Sequence, residues 1–127
     1  MDHDLTVKKI QRLMAPALRK KLPKKAAVVL IDAKKSATLN AVYRGKQKPT
    51  NVLSFRYDDT YGEILICPAI IRKEAKEQGN AQAFQMTWMI VHGMLHLAGV
   101  HHEKSARTER RAKSIEENIL RKLAKRA

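Results

Sequence analysis

Residues 84–102, Phe84-Gln85-Met86-Thr87-Trp88-Met89-Ile90-Val91-His92-Gly93-Met94-Leu95-His96-Leu97-Ala98-Gly99-Val100-His101-His102, decide how this chain is to be read. Up to Ala98 the run is apolar on almost every side, which predicts a central helix buried by its neighbours. Gly99 predicts its end, because glycine enters the left-handed region without a Cβ penalty and turns the chain back. His92 and His96 interrupt the apolar run, so it does not read as a membrane span.

Four of the five histidines of the chain fall within residues 92–102. On a helix His92 and His96 lie one turn apart and share a face, so both imidazoles can meet one ion at about 2.0–2.1 Å. A third ligand from the next helical turn would diverge; the turn at Gly99 brings His102 back instead. The spacing His-x3-His-x5-His is that of metzincin proteases, but Gly93 follows the first histidine where those enzymes carry the glutamate base. Peptide hydrolysis is excluded on that ground, and metal binding is retained. Single hydrogen-bonded core histidines are common, but three at ligand spacing with the glycine are not. Structural zinc sites are usually closed and rich in cysteine, whereas three histidines leave a position open, so the pattern favours catalysis. Met86, Trp88, Met89 and Met94 read as core filling.

Working outward, Ile10, Leu13, Met14, Ala17 and Leu18 predict an amphipathic first helix that Pro16 kinks or splits near Ala15. Ala26 to Ile31 has the length and composition of a buried strand, closed by Asp32. Residues 36–44 predict a short helix with Ser36 as its cap, Leu39 and Val42 inward, and Gly45 as the stop. Val52–Phe55 and Glu63–Ile66 predict two strands, with Asp58, Asp59 and Gly62 supplying the connecting turn. A helix runs from Pro68 to about Gln78, Gly79-Asn80 breaks it, and the tail from Ser105 to Leu123 sets Ile115, Ile119, Leu120 and Leu123 along one face. The fold class expected is α+β: one domain over residues 1–127, with a small mixed sheet of three to four strands covered by helices. The three-histidine metal site falls at the end of the central helix.

The charge is the other strong signal. Lys and Arg number 26 against 12 Asp and Glu, a net +14, which points to an anionic partner. Net charge is +6 over residues 1–25, +3 over 26–102 and +5 over 103–127, so basic ends flank a nearly balanced centre. That distribution suits a polyanion held by the ends while the centre does chemistry. Cys67 is the only cysteine, which excludes an internal disulfide and a cysteine-based zinc knuckle. Met1-Asp2-His3-Asp4 lacks the basic start of a secretory signal, and the expected location is cytoplasmic.

The segment His92 to His102 resembles the HGxLHLxGYDH signature of the YbeY family, metal-dependent endoribonucleases of ribosomal RNA maturation. Leu39-Asn40, Tyr43-Arg44-Gly45 and Pro49-Thr50-Asn51-Val52-Leu53-Ser54-Phe55 are similar to that family's LNxxYRG and PTDVLSF elements, and Gly62-Glu63-Ile64 stands for its GDI. The resemblance implies a Zn2+ ion, or another divalent metal, on His92, His96 and His102. It also implies that Arg44 assists catalysis on RNA, with Thr50, Asn51 and Ser54 lining the cleft. Ribosomal RNA precursors and the ribosomal subunit are the implied partners, and single-stranded RNA the implied substrate. This sequence departs from the pattern at His101, which replaces an aspartate, at Val100, which replaces a tyrosine, and in a shorter N-terminal region expected to lack the family's first strand. Glu116 and Glu117 resemble the family's closing helix and read as solvated. Two other functions fit the same residues: an RNA- or ribosome-associated assembly factor whose metal is mainly structural, and a metal hydrolase of another anionic substrate.

Overall fold

The computed structural model describes residues 2–100 and 105–126. His101 and His102 therefore lie outside the described residues. The elements in chain order are α1 (His3–Leu13), α2 (Pro16–Arg19), β1 (Lys25–Leu30), α3 (Ala33–Arg44), β2 (Val52–Arg56), β3 (Tyr61–Ile66), α4 (Pro68–Gln78), α5 (Gln82–Leu97) and α6 (Ala106–Arg126). The sheet has three strands in the order β1-β3-β2, with β1 parallel and β2 antiparallel to β3. The expected α+β class and mixed sheet are what the chain forms.

Alternation along the strands sorts the side chains to two faces. Ala26, Val52, Ile64 and Ile66 join the larger core, built with α1, α5 and α6, whereas Leu53, Leu65 and Cys67 form a smaller one with Ile31 on the opposite face. Helix α5 runs through the larger core and touches β2, β3, α1, α4 and α6. Its Ile90, Val91, Met94 and Leu95 are fully buried. Truncating such side chains to alanine typically costs about 2–5 kcal/mol.

Pro16 opens α2 as its first residue, so the N-terminal segment is two helices rather than one kinked helix. A proline lacks the N–H that would continue α1, but the first turn of a new helix does not need it. The Arg19 guanidinium closes the junction by donating to the carbonyls of Gln11 and Met14, both at 2.9 Å.

Helix α3 starts earlier than its sequence suggests. Asp32 is its N-cap, its carboxylate accepting from the Lys35 N–H at 2.8 Å, and Ser36 lies inside the helix. Ser36 and Asn40, one turn apart, form the buried stripe, while Val42 is 70% exposed rather than inward. The stripe is polar because it grips the following loop. Ser36 Oγ donates to the Thr50 carbonyl at 2.8 Å and accepts from the Thr50 N–H at 2.9 Å, and Asn40 Nδ2 donates to the Lys48 carbonyl at 2.8 Å.

Strands β2 and β3 form a hairpin whose turn is set by Asp58. Its carboxylate oxygen Oδ1 accepts from the Thr60 N–H at 2.7 Å, the Thr60 hydroxyl at 2.6 Å and the Tyr61 N–H at 3.0 Å. Gly62, expected in the turn, pairs within β3 and serves packing. A Cβ there would sit 3.1 Å from both Leu97 Cδ2 and Pro23 Cγ.

Candidate active site

Helix α5 ends as the glycine predicted. Gly99 takes φ 85°, its N–H donates to the His96 carbonyl at 2.9 Å, and the Val100 N–H donates to the Leu95 carbonyl at 2.8 Å. This pair of bonds is the Schellman arrangement, and it turns the chain back over the last helical turn. On that turn His92 and His96 stand with ring centroids 4.4 Å apart and planes tilted by 39°.

Gly93 faces the other way. A Cβ there would lie 2.6 Å from Ile64 Cγ2 and 3.1 Å from Ser54 Oγ, so the helix presses on β2 and β3 at this point. Ser54 Oγ donates across the contact to the Gly93 carbonyl at 3.3 Å. Position 93 therefore points toward the sheet while His92 and His96 line the cleft, and a side chain there would need a shift of helix or strand.

The cleft has a volume of about 520 Å³ and lies along β2, whose outer edge has no strand partner among the described residues. Arg44, Thr50, Asn51, Ser54, His92 and His96 all line it. Arg44 arrives from the last turn of α3, where Gly45 at φ 68° ends the helix. The helix C-terminus, with its partial negative charge, favours a cation there. Thr50 is held by Ser36, and Asn51 by a 2.9 Å hydrogen bond from its Nδ2 to Glu74 Oε1 on α4. An amide at 51 can donate to that carboxylate, where a second carboxylate would repel it.

Glu116 departs from its reading as a solvated residue. It is buried, as Glu117 is not, and its two oxygens bridge two residues of α5. Oε1 accepts from the Trp88 indole N–H, and Oε2 lies 3.1 Å from His92 Nδ1. Trp88 is thus more than core filling. An ionised carboxylate can only accept, so Nδ1 donates, and a neutral His92 ring keeps its lone pair on Nε2. The sequence did carry a signal for this: Glu116 is the one acid on the stripe Ala112, Ile115, Ile119 and Leu123 that α6 turns to the core.

Two imidazoles one turn apart, one of them oriented by a buried carboxylate, are donor chemistry suited to zinc or a similar divalent ion. Among the described residues no group of three or more histidine, cysteine, aspartate or glutamate side chains could hold a metal. The expected third ligand, His102, lies outside the described residues.

Fold and cleft define the class as a small α+β protein with a histidine pair and an arginine gathered at an edge strand. The solution structure of TM1509 from Thermotoga maritima is similar, with a TM-score of 0.61 at 26% identity over 99% of this chain and 89% of that one. The family model described as Endoribonuclease YbeY matches residues 2–124, and the chain belongs to that family. Among curated relatives, Endoribonuclease YbeY of Methylococcus capsulatus is 40% identical over 77% of this chain and 70% of its own length. Those of Halorhodospira halophila and Chromobacterium violaceum are 40% and 36% identical, over 65% and 79% of this chain and 60% and 65% of their own lengths. The matched stretch thus spans roughly two thirds of these relatives. Among the described residues no helix is long and apolar enough to cross a membrane.

Proposed function

We propose that the protein is a zinc-dependent endoribonuclease that cuts single-stranded RNA during ribosomal RNA processing and ribosome maturation in the cytoplasm. The observation that carries this reading is Arg44 sharing one cleft with His92 and His96 in a member of a family described as endoribonucleases. His92, His96 and His102 would hold the ion. When bound, it supplies Lewis acidity beside the phosphodiester.

The protein's own groups do the rest. Arg44 presents a planar fork to two non-bridging phosphate oxygens and offsets the charge that grows on them in the transition state. Glu116 holds His92 in the tautomer that leaves Nε2 as donor atom. The outer edge of β2 offers backbone donors and acceptors along the same cleft. Exposed basic side chains of α1 and α6 hold the rest of the polyanion and bring precursor RNA or the ribosomal subunit to the site.

The test is elemental analysis of freshly purified protein, followed by cleavage of ribosomal RNA precursors. His96→Ala should lose the zinc and the cleavage together. Arg44→Ala should keep the metal and most of the RNA affinity but lose cleavage by about 10²–10³-fold. Unchanged cleavage by metal-stripped His96→Ala protein would overturn the mechanism.

A further inference from the structure

Aromatic residues are scarce in this chain, with three Tyr, two Phe and one Trp, yet two of the six, Tyr43 and Phe55, line the cleft. Tyr43 precedes Arg44 on α3, is 63% exposed, and leans on Phe55 of β2 with ring centroids 4.8 Å apart. Tyr57 and Tyr61 stack nearby across the hairpin at 5.8 Å and 17°. Tyr43 and Phe55 line both the histidine cleft and a second hollow of about 560 Å³ over the smaller core. They form the ridge between the two.

The far hollow carries Lys35, Arg56, Tyr57 and Glu63 on its walls. The Arg56 guanidinium is engaged with the carbonyls of Lys21 and Leu97 and with Asp59, so Lys35 is the cation that faces a ligand there. Glu63 receives the hydroxyls of Tyr57 and Tyr61, each at 2.8 Å, and its negative charge disfavours a phosphate against the sheet. Flat apolar rings beside Glu63, with Lys35 on the wall, suit a base on the sheet side and a phosphate on the lysine side. Exposed Lys46 and Lys48 follow Arg44 in the chain. Planar groups alternating with anions are what a single RNA strand presents, and stacking on aromatic side chains tolerates any base.

We propose that Tyr43, backed by Phe55, is a stacking platform for the nucleobase next to the scissile phosphate, and that the hollow beyond it receives that nucleotide. The proposal rests on the reading of the cleft as an RNA-cleaving site. Tyr43 also packs on Phe55 at the margin of the small core, but a side chain that leaves most of its surface in water is a poor lid and an accessible platform.

The experiment measures binding of a short fluorescein-labelled single-stranded RNA of mixed sequence, whose cut by the wild type has been mapped, by anisotropy, with wild type and with Tyr43→Ala, Tyr43→Leu and Tyr43→Phe. Thermal melts confirm that each variant is folded. Alanine and leucine should weaken binding by roughly ten- to one-hundred-fold, and phenylalanine should restore it. A single abasic site walked along the strand should erase the difference at one position, the one adjoining the cut. Duplex RNA, whose bases are hidden, should bind all four proteins alike. Wild-type affinity in Tyr43→Ala, or a loss that no abasic position relieves, overturns the platform and leaves Tyr43 as a core lid or a protein contact. If wild type cleaves RNA while this happens, only the platform is lost; if wild type neither binds nor cleaves RNA, the cleft reading falls with it.

Discussion

Glu116 Oε2 sits 3.1 Å from His92 Nδ1 while its other oxygen takes the Trp88 indole N–H, so one buried carboxylate on α6 fixes two side chains of α5. The helix that closes the fold is thereby joined to the cleft. A buried acid is costly unless its oxygens are satisfied, and both are.

Glu116→Gln should lower zinc affinity by about 10–100-fold while the fold survives. If the amide oxygen keeps the indole, the amide nitrogen faces His92 Nδ1 as a donor, and the ring must carry its proton on Nε2, where the metal would bind. Glu116→Ala should lose a similar affinity and also about 1–3 kcal/mol of stability through the stranded indole N–H. Competition with a chromophoric chelator reads the affinity, and urea titration the stability. Wild-type zinc affinity in both variants would end this account of the carboxylate.

Gly93→Ala tests how closely α5 lies on the sheet. The added methyl would approach Ile64 Cγ2 to 2.6 Å, and only a shift of helix or strand relieves it. The expected loss is about 1–3 kcal/mol, typical of overpacking a tight core. An unchanged denaturation midpoint would show that the contact is slack.

Much of this was legible from residue types. Gly99 and Gly45 marked their helix ends because only glycine takes positive φ cheaply, and the apolar run before His92 marked a central helix because nothing else buries every side. His92 and His96 shared a face by period alone. What escaped depended on partners distant in sequence. Ser36 looked like a cap because serine caps helices, but its hydroxyl answers Thr50, fourteen residues on. Gly62 looked like a turn because its role is set by Leu97 and Pro23, and Glu116 looked solvated because its partners lie on another helix.

The hairpin should respond to pH at both extremes. The Thr60 hydroxyl, then its N–H, holds the Asp58 carboxyl below the usual range. A depressed folded value means stability that is present above about pH 3.9 and fades as pH falls through the folded value. Tyr57 and Tyr61 are pushed up, first by donating their hydroxyls to Glu63. Their contribution is whole below about pH 10 and is lost as pH rises through the raised value. These groups are on the surface, so the effects are small and salt-screened. In NMR titrations, Asp58→Asn should abolish the acid-side shift of the Thr60 amide, and Glu63→Gln the alkaline-side delay of both tyrosines. Unaltered titration curves would contradict the bonds.

Ser36→Ala links the buried stripe of α3 to the cleft. The hydroxyl satisfies both the N–H and the carbonyl of Thr50, and the methyl that replaces it satisfies neither. Leaving such groups unpaired costs about 1–3 kcal/mol each when no water reaches them. The loop from Gly45 to Asn51 would then be held at its far end by Asn40 on Lys48, by Asn51 on Glu74 and Cys67, and by the strand register. Because Arg44 leads into that loop and Thr50 lines the cleft, the variant should lose RNA cleavage beyond what its stability explains. Assays well below its melting temperature would show this as a lower kcat with zinc content unchanged. Ser36→Thr keeps the hydroxyl and should recover part of the cleavage if its extra methyl is accommodated. A Ser36→Ala protein that melts and cleaves like wild type would mean that the loop holds its shape without this bond.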